Sequence, residues 1–235
     1  MEYGKLYLIP SSLGSEGTEH IWPSGNLSRI EHIRHFIVES VRSARRFLRQ
    51  AGYHWSFDEV HFYVLNKHTT GMESGEFLEA AKRGLDIGLL SEAGVPCIAD
   101  PGQTIVRQAH HMGIRVVPLI GASSILLGLM ASGFNGQHFV FHGYLPIQKK
   151  DRMLKIKEIE KAARLNDQTQ IFMETPFRNN QLIADLLSIC SADTRLCMAC
   201  DLTLPTEFIR TYSIKEWKKN MPDLHKRPGI FLLYQ

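Results

Sequence analysis

The sequence lacks any apolar run long enough to cross a membrane. Its first ten residues contain one short apolar run, Leu6 to Ile9, and no apolar core of secretory length follows. Cysteine is also scarce, with four residues in 235. We therefore expect a cytoplasmic protein without a membrane partner, in which the cysteines are reduced.

A strong excess of one charge is lacking too. The chain carries 27 basic and 24 acidic residues, a net charge of +3. This charge is too small to indicate a nucleic-acid partner unless the basic residues are concentrated on one surface. With 44% hydrophobic and 22% charged residues, the composition is that of an ordinary folded protein with one large domain or two small ones.

Patterns typical of metal sites are almost absent. Cys197 and Cys200 have a C-x-x-C spacing, but no second pair or closely spaced histidine accompanies them. His110 and His111 are adjacent in the chain and cannot share one helix face. We predict that Cys197 and Cys200 are buried in a strand and that the protein has no metal site.

Short apolar runs alternate with helical spacing in the first half of the sequence. The predicted strands are Lys5 to Pro10, His35 to Glu39, Val60 to Leu65, Leu85 to Leu90 and Arg115 to Leu119, and one of the predicted helices is Ser74 to Lys82. This alternation indicates a mostly parallel sheet covered by helices, in an N-terminal lobe of residues 1–118.

The second half has a different pattern. After an apolar helix, Ala122 to Ala131, and a long charged helix, Lys149 to Arg164, strands follow one another with little between them. They are Phe139 to Tyr144, Gln170 to Glu174, Arg195 to Leu202, Glu207 to Tyr212 and Ile230 to Tyr234. The pattern favours an antiparallel or mixed sheet, so we predict an α/β protein whose second lobe covers residues 119–235.

Two loops rich in glycine, proline and small residues follow predicted strands. One is Ser91 to Gly102, "SEAGVPCIADPG", and the other is Pro118 to Ser124, "PLIGASS". Ligands of open α/β sheets bind at the carboxyl ends of the strands, and glycine lets a ligand approach the main chain closely. Either loop could instead be a plain connection. We expect both turns to end neighbouring strands and to form one main-chain shelf.

The sequence around these loops resembles the signature of the tetrapyrrole methylase family. The similar segment runs from Leu89 to Phe134 and resembles, in particular, the loop pattern S/D-A-G-x-P-x-I-x-D-P-G. The segments "FHGYLP", "METPFRNNQLIADL" and "CDLTLPTEFIRTYSIKEW" resemble, in the same order, motifs of the branch that methylates a ribose 2′-hydroxyl of small-subunit ribosomal RNA. The resemblance covers residues 5 to 234 and involves several ordered motifs.

This resemblance implies a two-lobed, tetrapyrrole-methylase-like fold that binds S-adenosylmethionine in a cleft between the lobes, generally as a homodimer. The cofactor would lie against loops of the first lobe and strand ends of the second. The implied cofactor-binding residues are Pro10, Ser91, Ala93, Gly94, Val95, Pro96, Ile98, Ala99, Ile120, Gly121, Ala122, Ser123, Glu174, Thr175, Leu202, Thr203, Pro228 and Gly229.

Two segments depart from the pattern of the RNA-methylating branch. That branch has T-P-I-G-N-L-x-D after its first strand, whereas this chain has "IPSSLGSE", residues 9–16. The segment "HFIVES" stands where the branch has Glu-Asp-Thr-Arg, so Glu39 is retained and Ser40 replaces aspartate. Both departures fall where the resemblance places the methyl acceptor.

Three carboxylates are candidates for accepting the proton of an acceptor hydroxyl. Glu39, Asp100 and Glu174 all fall in predicted strand-end loops. Each could instead be structural, capping a helix or pairing with an arginine such as Arg178.

Basic residues are concentrated on two predicted helices. Arg42, Arg45, Arg46 and Arg49 form one stripe that could neutralise RNA phosphates, and residues 149–164 include seven lysines and arginines against three acidic residues. Either set could be a solvated face. Three functions remain open: methylation of small-subunit ribosomal RNA, methylation of a corrinoid or porphyrinoid precursor, and cofactor binding without catalysis.

Overall fold

The computed structural model describes residues 2–14, 22–65 and 75–235. The described residues up to Ser123 form one compact unit, and Ser124–Gln235 form a second. Each unit contains one five-stranded sheet. Among the described helices, none is both long enough and apolar enough to span a membrane.

The sheet of the first unit is parallel in every described pairing. Its strands are β1 (Leu6–Ile9), β2 (His35–Val38), β3 (His61–Val64), β4 (Ile87–Leu90) and β5 (Val116–Pro118). They lie in the order β3-β2-β4-β1-β5, so β1 is hydrogen-bonded to both β4 and β5. Because all five strands are parallel, their carboxyl ends lie at the same edge of the sheet.

The helices of the first unit follow its strands, as the alternating sequence pattern predicts. They are α1 (Gly25–Ile30), α2 (Val41–Gln50), α3 (Glu79–Lys82) and α4 (Gln103–His111), with a 3-10 helix at Phe57–Glu59. Helix α2 begins after Ser40, whose side chain accepts a hydrogen bond from the Ser43 N–H at 3.3 Å. Ser40 therefore acts as the N-cap of α2. Of the helix predicted at Ser74 to Lys82, Ser74 lies outside the described residues.

The core of this unit lies on both faces of the sheet. Tyr7 and Ile9 of β1 pack into one buried cluster with Phe36 and Leu48. Leu6, the neighbour of Tyr7 in the chain, packs on the opposite face, in a cluster that includes Ile105 of α4. Burial on both faces explains why these strands are apolar runs rather than alternating sequences.

The second unit has a mixed sheet. Its elements are α5 (Ser124–Ser132), β6 (Phe139–Tyr144), α6 (Lys149–Asn166), β7 (Thr169–Glu174), α7 (Asn179–Ile189), β8 (Arg195–Cys200), β9 (Phe208–Ser213), α8 (Ile214–Trp217) and β10 (Gly229–Tyr234). The strand order is β6-β7-β10-β8-β9, with β6 and β7 parallel and the other pairs antiparallel. The predicted fold class is thereby confirmed, and Cys197 and Cys200 are buried in β8 as predicted.

An ion pair is buried in the core of the second unit, between α6 and α7. Arg152 is 2% exposed, and its Nε and Nη2 atoms donate to Asp185 Oδ2 at 2.8 and 2.7 Å. Its Nη1 atom donates to the carbonyl oxygen of Ile147 at 2.6 Å. The guanidinium thus connects the start of α6 to α7 and to the segment after β6. Arg152, one of the basic residues of the charged helix, is therefore not a surface charge.

Replacing Asp185 with alanine should destabilise the protein, because the Arg152 guanidinium would remain buried without its counter-charge. We expect the free energy of unfolding to fall by about 3–5 kcal/mol, measured by urea denaturation with circular dichroism. Asp193→Ala removes an exposed carboxylate of the same unit and should change this free energy by no more than about 0.5 kcal/mol. Equally small effects of the two substitutions would contradict a stabilising role for the buried pair.

Candidate functional site

Three loops of the first unit meet at the carboxyl edge of its sheet. They follow β1, β4 and β5. The Ser11 N–H donates to the Gly94 carbonyl oxygen at 2.8 Å, and the Ser91 hydroxyl donates to the same oxygen at 2.9 Å. A Cβ atom built on Gly121 would lie 2.2 Å from Pro10 Cβ, so only glycine permits this approach of the β1 and β5 loops. Main-chain contacts therefore hold the three loops together.

The expectation that the two glycine-proline turns end neighbouring strands is wrong. Strand β1 lies between β4 and β5 and pairs with both. The turns still meet, because a Cβ atom built on Gly94 would lie 3.5 Å from the carbonyl oxygen of Ala122 and 3.1 Å from Leu13 Cδ2. The loop after β1, where the resemblance places Pro10 beside the cofactor, is thus a third component of the edge.

The loop after β4 has an unusual backbone. Gly94, Cys97, Ala99 and Gly102 all have positive φ angles, of 75°, 69°, 63° and 130°. Cys97 and Ala99 adopt this conformation at an energetic cost, of order 1–3 kcal/mol each, which the surrounding structure must offset. Strained backbone of this kind is concentrated at ligand-binding sites.

The predicted cofactor-binding residues of the first unit all lie in these three loops. Pro10 follows β1, Ser91 to Ala99 follow β4, and Ile120 to Ser123 follow β5. Ser91, Gly94 and Pro96 are buried, whereas the side chains of Ile98 and Ile120 are 50% and 76% exposed. Exposed apolar side chains beside fixed main-chain groups are typical of small-molecule sites.

Two of the three candidate carboxylates lie at this same edge. Glu39 follows β2 and Asp100 lies in the loop after β4; these strands are paired, with Val38 opposite Leu90. Burial raises the pKa of Glu39, and the charges of Asp100 and Glu92 raise it further. A hydrogen bond that the Glu39 carboxylate accepts from the Glu92 backbone lowers the pKa and offsets part of this rise. The Glu39 Oε1 atom is buried without a hydrogen-bond partner among the described residues.

Asp100 belongs to the same group of charges. Its burial, together with the nearby charge of Glu92, raises the pKa of its carboxyl to about 6. A carboxylate whose pKa lies close to neutrality is suited to accept a proton. Glu92 was not among the sequence-predicted site residues, although it directly precedes Ala93 and Gly94, where the methylase loop pattern has serine or aspartate.

Glu174, the third candidate, is in the second unit and has a different environment. It is 3% exposed at the end of β7, and its Oε1 atom accepts hydrogen bonds from the Thr175 N–H at 2.6 Å and from Arg178 Nε and Nη2 at 2.9 and 2.5 Å. An oxygen with three donors is poorly placed to accept a further proton. This geometry favours the structural interpretation of Glu174.

The remaining predicted cofactor-binding residues lie at one edge of the second sheet. In the β10 register, Gly229 is opposite both Glu174 and Cys200, which brings Leu202, Thr203 and Pro228 to the same edge. Thr203 has a φ of 73°, which is rare for a β-branched residue. Its Oγ1 atom is buried and has no partner among the described residues. A polar atom in this state is available to a ligand.

The four predicted RNA-binding arginines of α2 are all exposed, but they fall into two pairs. Arg45 and Arg49 lie over the ring of Phe57 at 5.3 and 4.1 Å, and Arg49 also donates to two backbone carbonyls. These two stabilise the 3-10 segment. Arg42 and Arg46 make no hydrogen bond, ion pair or ring contact within the described part of the chain, so they are the pair that can contact phosphates.

The structure also bears on metal binding and on the altered turn after β1. Among the residues described, no group of three or more histidine, cysteine, aspartate or glutamate side chains is arranged to hold a metal ion. Ser11 to Gly14 of the turn are described, whereas Ser15 and Glu16 lie outside the described residues.

Solved structures with the same fold are methyltransferases and a synthase. The methyltransferase CobJ superposes with a TM-score of 0.65 at 16% identity, over 99% of this chain and 94% of that one. Diphthine synthase superposes with a TM-score of 0.68 at 15% identity, over 97% and 88% of the two chains. The chain therefore shares the α/β fold of these two proteins.

The family follows from the sequence match. Residues 38–217 match the model of the tetrapyrrole (corrin/porphyrin) methylases. The chain belongs to the tetrapyrrole methylase family, as the motifs around Gly94 and Gly121 predict.

Relatives within this family carry a more specific name. A protein of Bacillus subtilis (strain 168) is 33% identical over 210 residues, which are 89% of this chain and 68% of the relative. A protein of Vibrio cholerae is 31% identical over 211 residues, 90% and 69% of the two chains, and one of Pseudomonas aeruginosa is 29% identical over 216 residues, 92% and 72%. All three are named ribosomal RNA small subunit methyltransferase I.

The raised pKa of Asp100 predicts a pH dependence of stability. Its folded-state pKa of about 6 exceeds the ordinary value of 3.8, so the folded protein holds this proton more tightly than the unfolded chain does. Stability should therefore fall as the pH rises between these two values and stay reduced above them. Asp100→Asn removes this penalty, so its stability relative to the wild type should be higher at about pH 8 than at about pH 4.

Urea denaturation of both proteins at the two pH values checks this expectation. Asp58→Asn, which changes an exposed carboxylate of the same unit, controls for the general effect of removing a charge. A stability difference between wild type and Asp100→Asn that does not change with pH would show that Asp100 titrates normally.

Proposed function

We propose that this protein is an S-adenosylmethionine-dependent methyltransferase that methylates a ribose 2′-hydroxyl of small-subunit ribosomal RNA. The observation that carries the proposal is the convergence of the three strand-end loops of the first unit, whose contacts use the residues of the methylase signature, Gly94 and Gly121. The names of the three relatives support the RNA acceptor. We further propose a cytoplasmic homodimer, in keeping with the family resemblance.

The residues present fit the cofactor. In the first unit, exposed Ile98 and Ile120 offer apolar contacts beside the fixed carbonyl groups of the loops. In the second unit, the hydroxyl of Thr203, a predicted cofactor-binding residue, lacks a partner among the described residues. When bound, S-adenosylmethionine supplies the methyl group from its sulfonium. The loops contribute by holding the reactants in fixed positions, which accounts for much of the catalysis of such transfers.

Asp100 and Glu39 are the proposed proton acceptors for the acceptor hydroxyl. The pKa of Asp100 is raised to about 6, so its carboxylate is largely ionised at neutral pH and still basic enough to take up a proton. Glu39 lies beside it, and one of its oxygens has no hydrogen-bond partner in the described part of the chain. Glu174 is instead proposed to hold the β7 end in place through Arg178.

A corrinoid or porphyrinoid acceptor is less favoured. The relatives that match about 90% of this chain are named for ribosomal RNA. The exposed pair Arg42 and Arg46 also offers two cations on one helix face, at the i, i+4 spacing that suits successive contacts along a phosphate backbone.

The cofactor proposal predicts different effects for two glycines with the same backbone strain. Gly94 and Gly113 have φ angles of 75° and 73°. A Cβ on Gly94 would contact Leu13 and Ala122, whereas a Cβ on Gly113 would meet no atom of the described residues within 4 Å. Gly94→Trp should abolish binding of S-adenosylhomocysteine in calorimetry, and Gly113→Trp should retain it. Gly94→Ala, a milder change, should weaken binding by roughly tenfold.

As a control, circular dichroism should be used to check that these variants are folded. Wild-type affinity in both Gly94 variants would contradict the proposed location of the cofactor.

The RNA proposal predicts a steep salt dependence of binding to small-subunit ribosomal RNA. Arg42→Gln should reduce the slope of log affinity against log salt by about 0.7–0.9, because each phosphate contact releases about one counterion. Arg115→Gln, which removes an exposed arginine at the amino end of β5, should leave the slope unchanged. Equal slopes for wild type and Arg42→Gln would exclude Arg42 from the RNA-binding surface.

The activity itself is tested by transfer of labelled methyl groups to small ribosomal subunits. A 2′-O-methyl group protects the adjacent phosphodiester from alkali, so the label should appear in alkali-resistant dinucleotides. Label in alkali-sensitive mononucleotides would place the methyl group on a base, and no incorporation would contradict the RNA acceptor.

A further inference from the structure

A pocket of about 320 Å³ lies in the first unit, beside the loop that follows β1. Three segments form its wall: residues 11–14 after β1, one face of α2, and residues 91–93 after β4. Its volume is within the range of small-molecule sites, roughly 300–1,000 Å³. The pocket adjoins the predicted cofactor-binding residues Ser91 and Ala93, but none of the predicted catalytic carboxylates lines it. Most of its lining residues have no role in the methyl transfer described above.

Ser11 gives this pocket an unused hydrogen-bonding group. The residue is 4% exposed, and its Oγ atom has no hydrogen-bond partner among the described residues. Its backbone is fixed by the hydrogen bond from the Ser11 N–H to Gly94. Leaving a buried hydroxyl without a partner costs free energy, and buried polar groups are almost always paired. A bound polar molecule in the pocket would provide the missing partner.

The other walls of the pocket combine three further kinds of group. Glu92 contributes an exposed carboxylate, whose Oε1 atom accepts a hydrogen bond from the Ser43 hydroxyl at 3.1 Å. Arg46 contributes an exposed guanidinium that has no partner within the described part of the chain. Phe47 contributes a buried aromatic side chain as an apolar wall.

This combination matches the parts of a ribonucleotide. Carboxylates accept hydrogen bonds from ribose hydroxyls, as in dinucleotide-binding folds, and a guanidinium binds phosphate. The Ser11 hydroxyl can pair with a second ribose hydroxyl. A ligand that is rich in carboxylates would instead be repelled by Glu92, and a deoxyribonucleotide lacks the hydroxyl that the carboxylate would bind.

We propose that this pocket binds one unstacked ribonucleotide of the RNA substrate, with its ribose hydroxyls on Glu92 and Ser11 and a phosphate on Arg46. The proposal rests on the proposed function, because it assigns part of the RNA acceptor to these residues. Arg42 lies one turn before Arg46 on the same exposed face of α2. The phosphate contacts of α2 therefore continue into the pocket.

The first test compares the binding of an oligouridylate with that of its 2′-deoxy counterpart, measured by fluorescence anisotropy without cofactor. The wild type should prefer the RNA probe. Glu92→Gln and Ser11→Ala should each reduce this preference about fivefold to tenfold, because each removes a contact to a ribose hydroxyl. Arg46→Ala should weaken both probes by about tenfold and leave the preference intact. Arg115→Ala, at the opposite edge of the sheet, should match the wild type.

Steady-state kinetics with small ribosomal subunits provide the second readout. The three pocket variants should raise the KM for the subunit, while their calorimetric affinity for S-adenosylhomocysteine stays at the wild-type value. Glu92→Gln is isosteric at an exposed position, so it still tests whether the pocket binds a ribonucleotide if Ser11→Ala fails to fold. Unchanged probe preference in Glu92→Gln, unchanged probe affinity in Arg46→Ala and an unchanged KM in both variants would overturn the pocket assignment.

The failure of this inference can be told apart from the failure of the proposed function. If the wild type methylates small subunits and the pocket variants behave as wild type in both readouts, the pocket assignment is wrong and the proposed function stands. If the wild type methylates no RNA and shows no preference for the RNA probe, both are wrong.

Discussion

The parallel pairing of β1 with both β4 and β5 is the constraint on which the candidate site depends. Because β1 lies between β4 and β5, the loops that follow all three strands meet at one edge, where Ser11 bonds to Gly94 and Pro10 packs against Gly121. These contacts involve backbone atoms and small residues, so side-chain rotation cannot loosen them. The backbone of the edge is therefore fixed before any ligand binds, which reduces the entropic cost of binding.

Burial and charge then differentiate carboxylates that look equivalent in the sequence. Burial raises the pKa values of Glu39 and Asp100, and the nearby charge of Glu92 raises both further. Glu174 is as deeply buried as any of them, but Arg178 supplies two donors to one of its oxygens. The carboxyl groups at different strand ends thus differ in their proton affinity or in their hydrogen-bond partners, depending on whether an arginine is within reach.

Local sequence patterns predicted the elements but not their spatial order. Apolar runs such as the one in β4 identify buried strands directly, and the glycine-proline loop identifies the family. The position of β1 between β4 and β5 depends on pairings between residues about 80–110 positions apart, such as Leu6 with Ile87 and Val116, which no local pattern encodes. The separation of the four α2 arginines into two pairs could not be predicted from the sequence either. It depends on Phe57, which follows α2 in the chain and packs back against Arg45 and Arg49.

The left-handed backbone at Cys97 has a consequence for the chemical durability of the loop. It places the thiol against Gly102, where a Cβ atom would lie 2.8 Å from the sulfur, and burial raises the pKa of this thiol to about 11. Oxidants and electrophiles attack the thiolate, which is scarce at physiological pH when the pKa is this high. Cys97 should therefore react slowly with oxidants, although it is only half-buried in the loop, and it is poorly suited to act as a redox sensor.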